Sequence, residues 1–513
     1  MKVDYIVVGT GSAGSVIANR LGAVPNVRVA VIEAGRPDKD KFVHIPAAFS
    51  KLFRGPLDWN YLTEPQKELD GRQVYWPRGK MFGGSSSMNA MMWVRGFAAD
   101  YDEWGRVAGP EWAWSHVAEY FARIETGPLE VSPQRSPRRS TAAWLEAVRE
   151  CGYSVEPPNQ DNPEGFCETQ VTQRRGARWS TADAYLKPAV RRGNLEVFTE
   201  STVTRILFDG RRAVGVEFLR GGRREVVEAD REVILCGGAV NTPQLLMLSG
   251  IGDRDRLAEF GIPSVRHAPE VGRNLLDHLV VPLGFDVAGD SLQAAEKPLE
   301  LINYLARRRG MLTSNVGEAY GFVRSRPDLD LPDLELLFAP APFFDEGIGE
   351  PPTRHGVVTG PILLTPKSSG TIALASADPL VKPLIDPGYL TDPEGADRQA
   401  LMTGLRMTAE IVAAPSMRRL LGAIARPVGA TDLSDETLER ALNTQSHTLY
   451  HPVGTCRMGS DEGSVVDPQL RVRGVDGLRV ADASVMPSII RGHTHAPSVL
   501  IGEKAADLIT SAS

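Results

Sequence analysis

The pattern of apolar and polar positions is sharpest at the start of the chain. DYIVVG (residues 4–9) is an apolar run that stops at glycine, which predicts a buried strand. Ala13, Val16, Ile17 and Leu21 then fall on one face at helical spacing, and VRVAVIE predicts a second strand ending in Glu33. Residues 36–78 carry prolines and aromatics without a period and read as irregular. A polar, proline-containing stretch at 126–140 predicts a mobile surface loop, and AAWLEAVRECG a helix after it. Residues 194–238 alternate apolar and polar positions, with turn signals at Asp209-Gly210 and Gly221-Gly222, as a strand–hairpin–strand series does. GGAVNTPQLLMLSGIG predicts a helix starting at Thr242-Pro243. Between about 290 and 445 the character changes to strand-like runs (DLELLF, VVTGPILLTP, GTIALAS) and one amphipathic helix, ADRQALMTGLRMTAEIVAA. The last 70 residues return to the first style, with GLRVADASVMPS as a strand and turn and SVLIGEKAADLITSA as a closing helix. A nucleotide domain assembled from both chain ends follows, with an antiparallel-sheet domain inserted.

Gly9, Gly11 and Gly14 make G-x-G-x-x-G, with Ser12 and Ala13 between them. Among 50 glycines the motif alone is weak, but it lies between two predicted strands, opens a helix and is followed by an acid. The three glycines permit a tight turn, backbone approach to a pyrophosphate and close helix–strand packing. Glu33, with Ala34 beside it, stands where a carboxylate accepts hydrogen bonds from an adenosine ribose, which argues against a 2′-phosphate. The motif does not separate NAD from FAD. A second loop, PRGKMFGGSSSMNAMMW, carries Arg78, Gly79, Gly83, Gly84, Ser85, Met88, Asn89 and Met91. It can turn backbone N–H groups and hydroxyls toward a ligand, and its aromatic and methionine flanks are unlike those of a linker.

Composition narrows the partners. At 513 residues the chain exceeds one ordinary core, so two or three domains are expected. A net charge of −7 disfavours nucleic acid and anionic membranes as partners. No apolar run approaches the ~20 residues of a membrane span, and a strand begins too early for a signal peptide. Cys151, Cys167, Cys236 and Cys456 show neither metal-type nor C-x-x-C spacing, so a reduced, cytoplasmic protein is the simplest reading. Four of the nine histidines, His447, His451, His493 and His495, lie in the last 67 residues. His447 and His451 have i,i+4 spacing, but Pro452 and the lack of further ligands speak against a metal, and none is expected. Imidazoles titrate near neutrality and suit proton abstraction from an alcohol.

With GKMFGGSSSMN, GGAVNTPQLLMLSGIG, YHPVGTCRMG, GLRVADASVMPS and GHTHAPSVLIGEKAAD in order behind the fingerprint, the chain resembles the glucose–methanol–choline (GMC) oxidoreductases, and within them the choline dehydrogenase branch. The resemblance covers nearly the whole length, loosest over 290–445. It implies an α/β FAD-binding domain, Rossmann-like and of glutathione-reductase type, from residues 1–155, 198–290 and 446–513. An α+β substrate domain with an antiparallel sheet would comprise 156–197 and 291–445. It implies FAD rather than NAD, with Val203 at the adenine and Asp482 and Ala483 at the ribityl and flavin part. His451 matches the family's active-site histidine and His493 the second position, eleven residues before Lys504. His495 is then a cofactor-side residue rather than the catalyst. Met88 stands where choline oxidases tie a histidine to the flavin, so the FAD should be noncovalent. The implied reaction oxidises a small primary alcohol to an aldehyde by hydride transfer to flavin N5, with histidine as base and oxygen or a quinone-like acceptor regenerating the flavin. A flavin-containing hydroxynitrile lyase and a non-catalytic FAD- or NAD-binding protein are the alternatives.

Overall fold

The computed structural model describes residues 1–348 and 353–511. Strand β1 (Lys2–Val8), helix α1 (Ser12–Leu21) and strand β2 (Val29–Ile32) form the first unit. Every side chain of β2 is buried, as a strand covered on both faces requires. The sheet runs in the order Leu195–Phe198, β2, β1, Arg223–Leu235, Arg212–Arg220, Ser201–Asp209, and Leu478–Val480 also pairs with Arg223–Leu235. The pairings around β1 and β2 and with Leu478–Val480 are parallel, while the two hairpin pairings are antiparallel. Val8 is in register with both Ile32 and Leu235, so the parallel strands end together and feed Gly9, Glu33 and Cys236 onto one rim. Ligands of open parallel sheets bind at that carboxyl rim. The closing helix, His495–Ser511, packs on α1 and ties itself there: buried Glu503 accepts from Arg20 Nε and Nη2 at 2.8 Å each.

The second sheet is antiparallel, in the order Leu421–Arg426, Leu283–Val287, Gly356–Leu363, Leu334–Ala339, Ala319–Val323, Gly165–Glu168. Short strands Leu279–Val280 and His447–Thr448 join it beside Gly356–Leu363. The helix Ala396–Ala413 lies against this sheet through Leu401, Gly404 and Leu405. Among the described residues no helix is long and apolar enough to cross a membrane, and the four cysteines are free.

Several expectations need correction. Leu195–Phe198 pairs with β2, so the nucleotide-side sheet takes in residues 195–197 from the segment assigned to the substrate domain. Leu283–Val287 pairs with Gly356–Leu363, so 279–287 belongs to the second sheet, not the first. The helix expected from Thr242 spans Gly238–Leu248, four residues more. Pro243 sits inside it without an N–H for the Ala239 carbonyl, and the Thr455 hydroxyl donates to that carbonyl instead, at 2.7 Å. Nor is 126–140 a loose loop: Leu129 is buried, Ser132–Pro133 pairs with Gln170–Val171, and the Arg138 N–H donates to buried Glu318. The final helix begins at His495 rather than Ser498, since Pro497 is tolerated in a first turn.

Candidate functional site

A cavity of about 430 Å³ opens along the carboxyl rim of the first sheet and continues beneath the second. At one end the fingerprint glycines behave differently from one another. A Cβ on Gly14 would lie 2.1 Å from the Gly9 carbonyl oxygen, so only glycine lets α1 sit this close to the strand end. A Cβ on Gly11 would meet nothing within 4 Å, because that residue faces the cavity. Ser12 and Ala13, in the first turn of α1, line the same space. Buried Glu33 accepts from the Thr10 N–H and hydroxyl through Oε2, at 2.9 and 2.6 Å, and from the Gly35 N–H through Oε1, at 2.8 Å. Burial raises its carboxyl above the ordinary range, and those donors offset only part of that rise. Oε1 keeps acceptor capacity for a second donor. Ala34 and Val203 complete this end.

The second loop is tighter than the sequence suggests. Gly84–Ser87 is a 3₁₀ turn, in which Ser86 Oγ donates to the Gly83 carbonyl and Ser87 Oγ to that of Phe82. Ser85 Oγ accepts the Gly79 N–H, so of the three hydroxyls only that of Ser85 faces the cavity with a hydrogen to give. Gly84 touches the fingerprint: its Cβ would be 2.9 Å from Gly11 Cα. Asn89 Oδ1 accepts from the Met91 N–H and from buried Arg178, which braces the loop against the Val43 carbonyl. Met88 packs among Val43, Leu52, Leu57 and Met81. Asp482 lies on the cavity wall with Ala483, but its carboxylate is taken up by Gly238 N–H, Thr242 Oγ1 and both donors of Ser484. A ligand there would meet the backbone of 482–483 rather than that carboxylate.

The structure brings His451 and His493 together at the other end, their ring centroids 4.8 Å apart. Arg78 runs beside them, donating to the Tyr450 carbonyl through Nη2 at 2.6 Å. Two residues that the sequence reading missed hold the imidazoles. His278 Nε2 donates to the Leu364 carbonyl at 3.2 Å, leaving Nδ1 of the neutral ring as an acceptor. The 2.9 Å contact between the Nδ1 atoms of His278 and His451 therefore places the His451 hydrogen on Nδ1. The His451 Nε2 lone pair is left without a partner among the described residues. Burial, then the charges of His493, His278 and Arg78, hold His451 well below 6.5, and burial and His493 push His278 down to about 3. Asp277, raised by burial to about 6, accepts the His451 N–H at 2.8 Å. His493 Nε2 lies 3.1 and 3.2 Å from the two oxygens of Glu335, which is fully buried. Glu335 leaves a sequence signal: a carboxylate inside the otherwise apolar strand LELLFA. His278 leaves none beyond its charged neighbour Asp277.

His495 sits apart from this pair. Its Nδ1 is 2.9 Å from Ser12 Oγ, and its buried Nε2 has no partner among the described residues. His447 turns its Nδ1 to the Thr448 carbonyl, and its ring centroid lies 6.1 Å from that of Tyr450. Three non-glycine residues with positive φ line the cavity, Met91 (+56°), Val316 (+74°) and Tyr450 (+69°). Such conformations cost roughly 1–3 kcal/mol each and persist where the surroundings over-determine them. The walls at this end are mainly apolar, including Phe49, Phe53, Met92, Leu337 and Phe343; the polar groups beside His451, His493 and Arg78 include Tyr450 and Thr359, whose buried hydroxyl has no partner among the described residues.

An open Gly11, an uncapped first turn of α1, a carboxylate with acceptor capacity and an orphaned buried His495 Nε2 all suit a dinucleotide lying along the rim. The comparisons point the same way. Sequence models of the GMC oxidoreductase family match residues 3–280 and 366–502. An uncharacterised GMC-type oxidoreductase of Mycobacterium tuberculosis is 68% identical, covering 99% of both chains. "Alcohol dehydrogenase [acceptor]" of Pseudomonas putida is 41% identical over 99% of this chain and 95% of its own. A solved structure of Aspergillus oryzae formate oxidase, concerned with its FAD modification, covers 100% of this chain and 98% of that one with a TM-score of 0.93 at 28% identity.

Proposed function

The chain belongs to the GMC oxidoreductase family, and from that premise we propose that it is a flavoenzyme that oxidises an uncharged, apolar primary alcohol to the aldehyde. The observation that carries this reading is the imidazole pair: two rings 4.8 Å apart, each held from behind, at the apolar end of the cavity. FAD fits the rim at Gly11, Glu33, Val203, Ala483 and His495, and when bound it supplies the acceptor for the hydride that leaves the carbinol carbon. His451, neutral and with its lone pair on Nε2, takes the hydroxyl proton. His493, fixed by Glu335, turns its remaining ring nitrogen toward the same oxygen and holds the alcohol in place. The apolar walls exclude water from the reacting carbon.

The electrostatics speak to the substrate. A quaternary ammonium such as choline would want a free carboxylate beside aromatic faces. The acids that line the cavity, Glu33 and Asp482, stand at the rim and are already hydrogen-bonded, and Glu335 is engaged behind His493. Met88, a thioether in an apolar cluster, offers no nitrogen to bond to the flavin, which supports noncovalent FAD.

One preparation tests these statements. The yellow protein should release its FAD into the supernatant on acid precipitation. Aliphatic and aromatic primary alcohols should bleach it anaerobically, choline should do so poorly, and turnover with oxygen against a quinone or dye would identify the acceptor. A yellow acid pellet would refute noncovalent binding, and no bleaching by any alcohol would refute the reaction.

A further inference from the structure

The helix Pro298–Arg307 is built inside out. It holds one buried residue, Tyr304, whose hydroxyl donates to the His44 carbonyl at 3.3 Å. Leu299, Ile302 and Leu305, at successive i,i+3 positions, are 78%, 60% and 63% exposed, and Leu301 flanks them at 44%. These are four of the twelve large apolar side chains exposed among the described residues, gathered on ten residues of chain. Scattered exposed leucines need no explanation, whereas a contiguous apolar stripe does.

The stripe runs directly into Arg307, Arg308 and Arg309, all exposed, and none makes an ion pair among the described residues. Of the acids nearby, Glu296 is paired with Lys51 and Asp290 with Arg138, while Glu300 accepts the Met311 N–H and leaves one carboxylate against three arginines. An apolar face beside unneutralised arginines is the composition that lies in a bilayer interface, where each arginine near an anionic surface adds attraction. A second copy seated on the stripe would instead bring two arginine triplets into one interface, where Glu300 is the one acid the helix itself offers. The inner side of the helix rests on Met311, Ile45 and Ala47, and Met311 in turn packs on Phe49 of the cavity wall.

We propose that this helix docks the protein on an anionic lipid bilayer, the leucine stripe buried among acyl chains and the arginine triplet against the headgroups. The net charge of −7 argues against this only for the molecule as a whole; the local field at the helix end has the opposite sign.

The FAD-loaded protein is floated with vesicles of phosphatidylcholine alone or mixed with phosphatidylglycerol. It should rise with the mixed vesicles, and rising salt should weaken that binding. Leu299→Ser/Ile302→Ser/Leu305→Ser should lose about tenfold or more of it, with the melting temperature and dye-coupled turnover unchanged. Arg307→Gln/Arg309→Gln should lose a comparable amount on anionic vesicles only. No flotation of the parent protein, or equal flotation of the leucine variant, overturns the proposal. So does a leucine variant that only turns a dimer into a monomer in sedimentation velocity, which would make the stripe an interface between copies.

Discussion

His451 is gripped at two points: Asp277 takes its backbone N–H and His278 its ring nitrogen. A base whose protonation is held well below 6.5 is neutral throughout the neutral range. Flavin reduction should therefore be flat above pH 6.5 and fall as acid protonates the lone pair. Asp277, raised by burial to about 6, also gains its proton on the way down, so the fall would belong to the cluster rather than to one ring. Reduction rates across pH by rapid mixing check this, and a rise centred above pH 7 would mean that another group removes the proton. At this scale the sequence was partly legible. The two catalytic candidates could be placed because a motif carries each, and the structure sets them in contact. His278 and Glu335 act from behind, across 173 and 158 residues of chain, where no local spacing records them. The turning inward of Ser86 and Ser87 beside Ser85 was not legible, because a glycine-serine run says nothing about which backbone carbonyls its own turn will offer.

Among the elements, the β1–α1–β2 unit was readable because each glycine answers to a local constraint, and those constraints separate cleanly. Gly11→Ala adds a methyl to open space at φ −66°, so the fold should keep its melting temperature without cofactor but hold FAD more weakly. Gly14→Ala drives a Cβ to 2.1 Å from the Gly9 oxygen, so α1 must shift and the cofactor-free protein should melt lower or fail to fold. Melting curves and FAD titrations of the two variants distinguish the roles. If both variants kept full FAD affinity, the rim would not be the dinucleotide site. Boundaries were less readable: Gly238–Leu248 starts before its proline because Thr455, more than 200 residues away, satisfies the carbonyl that Pro243 leaves open.

On the scale of the molecule, two sheets meet over one cavity, and the chemistry lies where they meet. The parallel strands of the first sheet supply the rim at Gly9, Glu33 and Asp482, while Glu335 and His278 reach in from or beside the antiparallel sheet. A two-domain plan with both chain ends in the first domain could be read from composition and motif order. The exchange of Leu195–Phe198 and Leu283–Val287 between the sheets could not, since an apolar strand of four or five residues suits either one. The central claim is that His451 deprotonates an alcohol whose carbinol hydrogen leaves as hydride. Anaerobic rapid mixing of the holoenzyme with a bleaching alcohol, unlabelled or deuterated at the carbinol carbon, tests it most directly when repeated with His451→Ala. The account predicts slower bleaching with deuterium, and a further loss of about 10²–10⁴-fold in the variant with its FAD retained. Bleaching indifferent to both the deuterium and the substitution would contradict it.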